Sequence, residues 1–353
     1  MTYQILAINP GSTSTKIAVF QGEKEVFNTT LRHSSEEIGE FKKIIDQYEF
    51  RKNIILDALK ENDIQKLDAV VGRGGLLKPI PGGTYGVDDD MIRDLKEAKR
   101  GEHASNLGAI LAKEIGKQFD APAYIVDPVV VDEMEDIARI SGIPEIERKS
   151  IFHALNQKAI GRRAAAELKK GYDKVNLIIA HLGGGISVGA HKQGKIVDVN
   201  NALDGDGPFS PERSGGVPVG DLLKLLHNGD FTYEELKKKI TGKGGLVAYL
   251  GTNSGIEVTE MIVKGDKKAA LVYEAMAYQV AKWIGAMATV LEGKVDGIAI
   301  TGGIAYDKQM IAWIQKRVNF IGKVMIFPGE DEMLALAEGA LRVLQGEEKA
   351  KQY

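Results

Sequence analysis

The chain has 353 residues, too many for one ordinary core and about right for two lobes with a cleft between them, since single domains run ~100 to 200 residues. It is 44% hydrophobic and 27% charged, which supports two apolar cores and argues against disorder. A formal net charge of -3 offers no surplus of cations for a nucleic acid, and the lack of cysteine excludes disulfides, thiolate metal sites and thiol nucleophiles.

The N-terminal MTYQILAINP has neither the basic flank nor the small-residue cleavage site of a secretion signal. No run approaches the ~18 apolar residues of a membrane span, so a cytoplasmic protein without a membrane partner is expected. Residues 3–8 form a short apolar run that ends in Asn-Pro-Gly-Ser, and a second run at 16–20 stops at Gln21-Gly22, which reads as strand, turn, strand, turn, strand. Buried strands are expected at 67–71 and 123–126, and helices at 88–100, 104–118 and 131–140. The charged stretch 145–150 interrupts the periodicity and marks a domain boundary. The opening pattern then recurs: an ungapped offset of 172 aligns Asn9 with His181, Gly11 with Gly183, Ala18 with Ala190 and Gln21-Gly22 with Gln193-Gly194. Helices are expected at 156–170, 233–240, 269–291 and 331–344, with strands at 297–301 and 323–327. Strands alternating with helices imply an α/β protein of two related lobes.

Three glycine-rich turns carry the chemistry. INPGSTSTKIAVF sets turn formers, the hydroxyls of Ser12 and Thr13 and the cation of Lys16 between two strands, where freed backbone N–H groups can wrap a phosphate. Apolar alternation continues after the turn, so this is not a strand-loop-helix P-loop, and an ordinary hairpin rich in turn formers fits equally well. AHLGGGISVGA holds Gly183, Gly184 and Gly185, whose lack of side chains suits close approach by a nucleotide phosphate. VDGIAITGGIAYD is a buried strand opening onto Gly302, Gly303 and Ile304 and then a helix from near Asp307, a flat shelf for an adenosine.

Set in this order, the turns resemble the phosphate 1, phosphate 2 and adenosine motifs of the superfamily of acetate kinases, sugar kinases, heat-shock protein 70 and actin. Within it, NPGSTSTK and PFSPERSGGVP resemble the butyrate kinases of the acetokinase family, and the resemblance runs from Tyr3 to Gln345. It implies two ribonuclease H-like lobes, each a mixed five-stranded sheet with flanking helices, around an interlobe cleft. Residues 1–149 plus about 333–353 would form the first lobe and 150–332 the second. It implies an ATP-dependent kinase that reversibly phosphorylates butyrate or a short branched-chain acid, with ATP or ADP as co-substrate, Mg2+, and a homodimer or larger assembly.

The resemblance also assigns residues. Arg73 in VVGRGG follows a buried strand with glycines on both sides, Arg213 in FSPERSGG sits in an irregular loop bounded by Pro and Gly, and their planar forks suit a carboxylate or a transferring phosphoryl group. Asp127 in YIVDPVV ends a buried strand and orients substrate or magnesium, or else caps a following helix. His181 contacts the γ-phosphoryl group. His103 and His153 orient substrate or serve as structural histidines. Asn9 and Glu332 are the magnesium candidates, although Glu332 also suits a helix N-terminus by charge alone. Asn9, Ser12, Thr13, Lys16, His181, Gly183 to Gly185, Gly302, Gly303 and Ile304 make up the nucleotide set. Where acetate kinases carry adenine-contacting residues, this chain has Ala305, Tyr306 and Asp307, and Gly255, Ile256 and Glu257 replace a nucleotide loop. Acetate or propionate kinase is the near alternative. A hydroxyl kinase would need Asp127 as an obligatory base, and a nucleotide-switched binding protein would leave Arg73 and Arg213 without a purpose.

Overall fold

The computed structural model describes residues 2–353, which divide into two compact units, 2–132 with 331–353, and 133–330. The divisions differ from those read in the sequence because 133–149 is tied to the second unit. The Lys158 ammonium lies 2.7 Å from Glu133 Oε2, Glu135 N donates to Val197 O at 3.0 Å, and Arg148 Nη1 meets Asp198 Oδ1 at 2.9 Å.

The first unit is built on six strands, β1 (Gln4–Pro10), β2 (Ser14–Gln21), β3 (Lys24–Arg32), β4 (Ala69–Gly72), β5 (Thr84–Gly86) and β6 (Ala123–Val126), in the order β3-β2-β1-β4-β6-β5. The first three form an antiparallel meander, β4 and β6 continue parallel to β1, and β5 closes the edge antiparallel to β6. Alternation along β1 sends Leu6 and Ile8 into one apolar cluster, where Val19 and Ile17 face them across the ladder and helices Tyr48–Glu61 and Asn106–Gln118 cover them with Ile55, Leu59, Leu107, Leu111 and Ile115. Each such side chain contributes ~1.5 to 3 kcal/mol by leaving water.

The second unit repeats the plan in β7 (Asn176–Leu182), β8 (Ile186–Lys192), β9 (Lys195–Val199), β10 (Gly297–Gly302) and β11 (Val324–Pro328), ordered β11-β10-β7-β8-β9. Antiparallel β7-β8-β9 is followed by parallel β10 and β11, which is the path β1-β2-β3, β4, β6 of the first unit. The offset that carries Asn9 to His181 also carries β1 onto β7. Five strands therefore occur here as expected, whereas the first unit adds β5, a three-residue edge strand too short for a periodicity signal. Helix Lys267–Val290 supplies the core over this sheet. It buries Ala269, Val272, Tyr273, Met276, Ala277, Val280, Ala281, Ile284 and Met287 at helical spacing and is capped by Asp266, whose side chain accepts from Ala269 N.

One expected helix is absent. Over 131–140 only Asp136–Arg139 is helical, because the backbone is committed to longer-range pairing: Val131 bridges Ile80, Asp132 N donates to Ile80 O at 2.9 Å, and Glu135 N donates to Val197. The third glycine turn also differs in detail. A single 3-10 turn, Gly303–Tyr306, precedes helix Lys308–Val318, and Asp307 is the N-cap of that helix.

Candidate active site

In the first unit the candidate residues follow the carboxyl ends of three adjacent parallel strands, where open α/β sheets present their ligand-binding loops. Asn9 lies near the end of β1, Arg73 follows β4 and Asp127 follows β6. Glu332, the first residue of helix Glu332–Leu344, joins two of them. Its Oε2 accepts from Arg73 Nη1 at 2.5 Å and from Asn9 Nδ2 at 2.9 Å. Neither Asn9 Oδ1 nor Glu332 Oε1 accepts a protein hydrogen bond among the described residues. Lys16 stands opposite Asn9 in the β1-β2 ladder, so the two share a face, and Ser12, Thr13 and Lys16 are all exposed. Asp127 is 1% exposed, has φ of 37° and accepts from Gly83 N at 2.7 Å through Oδ1. That left-handed backbone, unusual for a residue with a side chain, and the lack of a helix after it set aside the capping role. His103 accepts from Ser105 N at 3.2 Å through Nδ1, and partial burial together with the positive charge of Arg73 lowers its pKa.

The turn after β1 depends on a residue that sequence reading missed. Arg51, 1% exposed, donates from Nη1 to Gly11 O at 2.8 Å, Ser14 O at 3.0 Å and Thr15 Oγ1 at 3.0 Å, and from Nη2 to Ser12 O at 3.0 Å and Gln47 Oε1 at 2.8 Å. By collecting the carbonyls of residues 11, 12 and 14 on one side, it fixes the shape of the turn that exposes the hydroxyls of Ser12 and Thr13. Burial lowers its pKa to about 10, which leaves it charged near neutrality. A signal existed, since Arg51 shares the buried side of its helix with Ile55, Ala58 and Leu59, a place where a lone cation needs partners.

In the second unit His181 lies near the end of β7, immediately before the Gly183-Gly184-Gly185 turn. Its Nδ1 pairs with Asn156 Oδ1 at 2.8 Å, and its ring stacks on His153, with centroids 3.9 Å apart and planes 17° from parallel. Arg213 crosses the same turn. A Cβ at position 185 would lie 1.8 Å from Arg213 Nη1, so glycine there makes room for the guanidinium. Arg213 Nη1 donates to Ala202 O at 2.5 Å, while Nε is buried with no hydrogen-bond partner and burial lowers the pKa of the group. Ser210 ties the Arg213 loop to the turn by accepting from Arg213 N at 3.1 Å and donating to Gly184 O at 2.6 Å.

The β10 turn is as tight. Gly302 has φ of 92°, and a Cβ there would lie 2.3 Å from Leu182 O, so its backbone can approach the end of β7 only without a side chain. Next to it, Gly303 and Ile304 line a cavity of 660 Å³ with Ser254, Gly255, Ile256, Thr259, Tyr273 and Tyr306, a size and mixed lining that suit a nucleoside. Asp307 Oδ2 accepts from Tyr273 at 3.0 Å and Thr259 at 3.2 Å, while Oδ1 caps the next helix, so Asp307 is occupied as a structural carboxylate. Gly255 and Glu257 belong to helix Gly255–Val263.

Geometry thus groups Asn9, Arg73 and Glu332 in one unit and His153, His181, Gly183 to Gly185 and Arg213 in the other. Among the described residues no cluster of three His, Asp or Glu side chains could cage a metal. The family model of the acetokinase family matches residues 145–325. Butyrate kinase 2 of Clostridium acetobutylicum is 62% identical over the whole of both chains, and butyrate kinase 1 of the same organism is 60% identical over 99% of each. The crystal structure of Porphyromonas gingivalis acetate kinase superposes with a TM-score of 0.78 at 19% identity, covering 96% of this chain and 99% of that one, which extends the fold correspondence to almost every element described above. The chain therefore belongs to the acetokinase family, in the group of its butyrate kinases.

Proposed function

We propose that the chain reversibly transfers the γ-phosphoryl group of ATP to butyrate or a short branched-chain fatty acid, giving ADP and an acyl phosphate. The observation that carries this reading is the 62% identity, end to end, with a protein named butyrate kinase. Acetate or propionate as the preferred acid is supported less well, since the acetate kinase stands at 19% identity and speaks for the fold.

A carboxylic acid titrates near ~4 and is ionised at neutral pH, so the acceptor needs no strong general base. In this reading Arg73 binds the acceptor carboxylate and Asp127 positions substrate or its metal. Gly183 to Gly185, Ser12, Thr13 and Lys16 hold nucleotide phosphates, Gly302, Gly303 and Ile304 receive the adenosine, and His103 and His153 orient substrate. His181 and Arg213 meet the charge that spreads over the equatorial oxygens of the phosphoryl group in flight, where preorganised donors are worth most. The buried Nε of Arg213, without a protein acceptor, supports this role. Mg2+ fits Asn9 and Glu332, because it takes one or two protein oxygens beside phosphates and water, and among the described residues Asn9 Oδ1 and Glu332 Oε1 accept no protein hydrogen bond. When bound, it would neutralise phosphate charge.

No helix among the described residues is long and apolar enough to cross a membrane. A cytoplasmic homodimer or larger assembly completes the reading, and the exposed Val219, Leu223 and Leu226 of helix Val219–His227, which buries no residue of its own, support it. Trapping acyl phosphate as hydroxamate with acetate, propionate, butyrate, isobutyrate and isovalerate tests the function. The highest kcat/KM is expected with a four-carbon or branched acid. Failure to form acyl phosphate from any of them would overturn the proposal.

A further inference from the structure

Behind His153 lies a chain of hydrogen bonds whose direction the chemistry of its members dictates. Gln157 Nε2 lies 3.1 Å from Ser187 O and 2.8 Å from Ser187 Oγ. A carbonyl only accepts, so the amide nitrogen faces Ser187 and Gln157 Oε1 faces the other way, toward His191 Nε2 at 2.9 Å. Oε1 only accepts, so His191 carries hydrogen on Nε2. His191 is 0% exposed, and burial with the charges of Lys158 and Arg162 holds its pKa well below the usual value, so its ring is neutral and Nδ1 is bare. Nδ1 therefore accepts from the Tyr172 hydroxyl at 2.7 Å. At the other end, Ser187 Oγ already accepts from Gln157. Its own hydrogen, on a residue 0% exposed, has His153 Nδ1 at 2.8 Å as its acceptor. The reverse arrangement would bury that hydroxyl hydrogen without a partner, at a cost of ~1 to 3 kcal/mol.

We infer that Ser187, Gln157, His191 and Tyr172 are positioning residues that hold His153 in the tautomer with a bare Nδ1 and the proton on Nε2, as a neutral donor for a phosphoryl or carboxylate oxygen. The neighbouring ring is set the opposite way. Asn156 Nδ2 donates to Glu330 O at 3.1 Å, which turns Asn156 Oδ1 toward His181 Nδ1 and places a proton of His181 there, while His181 Nε2 lies 3.7 Å from Glu330 Oε1. Two stacked histidines are thus given different protonated nitrogens by two separate amides, Gln157 and Asn156. With Nδ1 of His181 given to Asn156, His181 meets a phosphoryl oxygen through Nε2 only when its ring takes a second proton, and a neutral His153 keeps the two rings at 3.9 Å from being charged together. The inference rests on the proposed phosphoryl-transfer role of the His153 and His181 pair for its functional consequence, but the tautomer itself belongs to the resting protein.

Ring-nitrogen NMR of the 15N-histidine-labelled protein, with His153 assigned by the loss of its signals in His153→Gln, reads the tautomer without substrate. The proton is expected on Nε2 of His153 in the native chain and divided between both nitrogens in Ser187→Ala and Gln157→Met. In those variants kcat falls ~10-fold or more while both KM values change less than ~3-fold, as for a group that acts only in the transition state. Tyr172→Phe, a gentler change, shifts the His191 nitrogens and moves His153 in the same direction. A native His153 protonated on Nδ1, or an Nε2–H signal unchanged in all three variants, would overturn the inference. Acyl phosphate formation by the native chain is scored separately, so failure of the reaction and failure of the tautomer lock are distinguishable.

Discussion

Arg73 Nη1 lies 2.5 Å from Glu332 Oε2, although 259 positions separate the two residues. The contact ties the loop after β4 to the first turn of the last long helix, and Asn9 shares the same oxygen. Removing Arg73 would strip the acceptor carboxylate of its proposed cation and leave Glu332 facing only an amide. Arg73→Ala should lower kcat/KM for butyrate ~10² to 10³-fold, the scale of one preorganised donor, with KM for the acid rising. Glu332→Gln keeps the side-chain length and should act chiefly through MgATP, raising its KM and the magnesium concentration for half-maximal rate. Steady-state kinetics over a magnesium titration separates the two, and an Arg73→Ala enzyme with native kcat/KM would remove Arg73 from the site.

Arg51 allows a structural prediction with a functional reading. It makes six hydrogen bonds, four of them to the turn of residues 11–15. Arg51→Met fills the volume but leaves buried carbonyls without donors, and a loss of ~3 kcal/mol or more is expected from the 1 to 3 kcal/mol cost of each orphaned group. Urea denaturation measures it. KM for ATP should rise at the same time, because the phosphate turn loses its shape. A variant as stable as the native chain would show that water replaces the guanidinium.

Much of this architecture is legible in the sequence. The 172-residue offset found the duplication because β1 and β7 carry the same turn chemistry at the same distance from the strand end. The diglycine at the end of β10 was legible because a Cβ on Gly302 would lie 2.3 Å from Leu182 O, which admits no other residue, and Gly303 beside it lines the cavity. Arg51 escaped because a cation on a helix reads as solvated until its carbonyl partners, 37 to 40 positions away, are known. The expected helix over 131–140 failed for a related reason. Its periodicity is real, but Val131 and Glu135 spend their backbone groups on Ile80 and Val197, which no local pattern reveals. The histidine tautomers lay further out of reach, since they depend on which end of two amides faces a carbonyl.

Acid should destabilise the protein through its buried histidines. His191 and His33, both buried, have lowered pKa values, each with burial as the largest cause. A base whose folded pKa lies below its unfolded value of 6.5 stays neutral in the native state while the unfolded chain takes up protons, so unfolding gains protons and stability falls as pH drops below about 6.5. Above that pH neither state binds the proton and the effect vanishes. Each fully neutral histidine contributes a slope of ~1.4 kcal/mol per pH unit below that point. His191 is the strongest contributor, being wholly buried. Denaturant midpoints between pH 5 and 7.5 should decline on the acid side, and more gently in His191→Gln. A flat profile in the native chain would contradict the assignment of a neutral His191.

Gly185→Ala tests whether Arg213 acts on the phosphoryl group. The new methyl carbon would lie 1.8 Å from Arg213 Nη1 and 3.3 Å from Ala202 O. The nitrogen is the far end of a flexible side chain and can swing away, whereas the backbone carbonyl need give only slightly. Position 185 does not appear among the glycines with positive φ, so alanine brings no backbone strain. Gly185 is buried and the displaced guanidinium gives up its bond to Ala202 O, so stability should fall by ~1 to 3 kcal/mol. Activity should not be spared. With the guanidinium displaced, the developing charge on the phosphoryl group loses a desolvated cation, and kcat should fall ~10² to 10³-fold with little change in KM for butyrate. Arg213→Ala should show the same loss, and the double variant should be no worse than either single one, because both substitutions remove one interaction. Additive losses would mean that Gly185 serves the phosphate directly, through its backbone, and that Arg213 acts elsewhere.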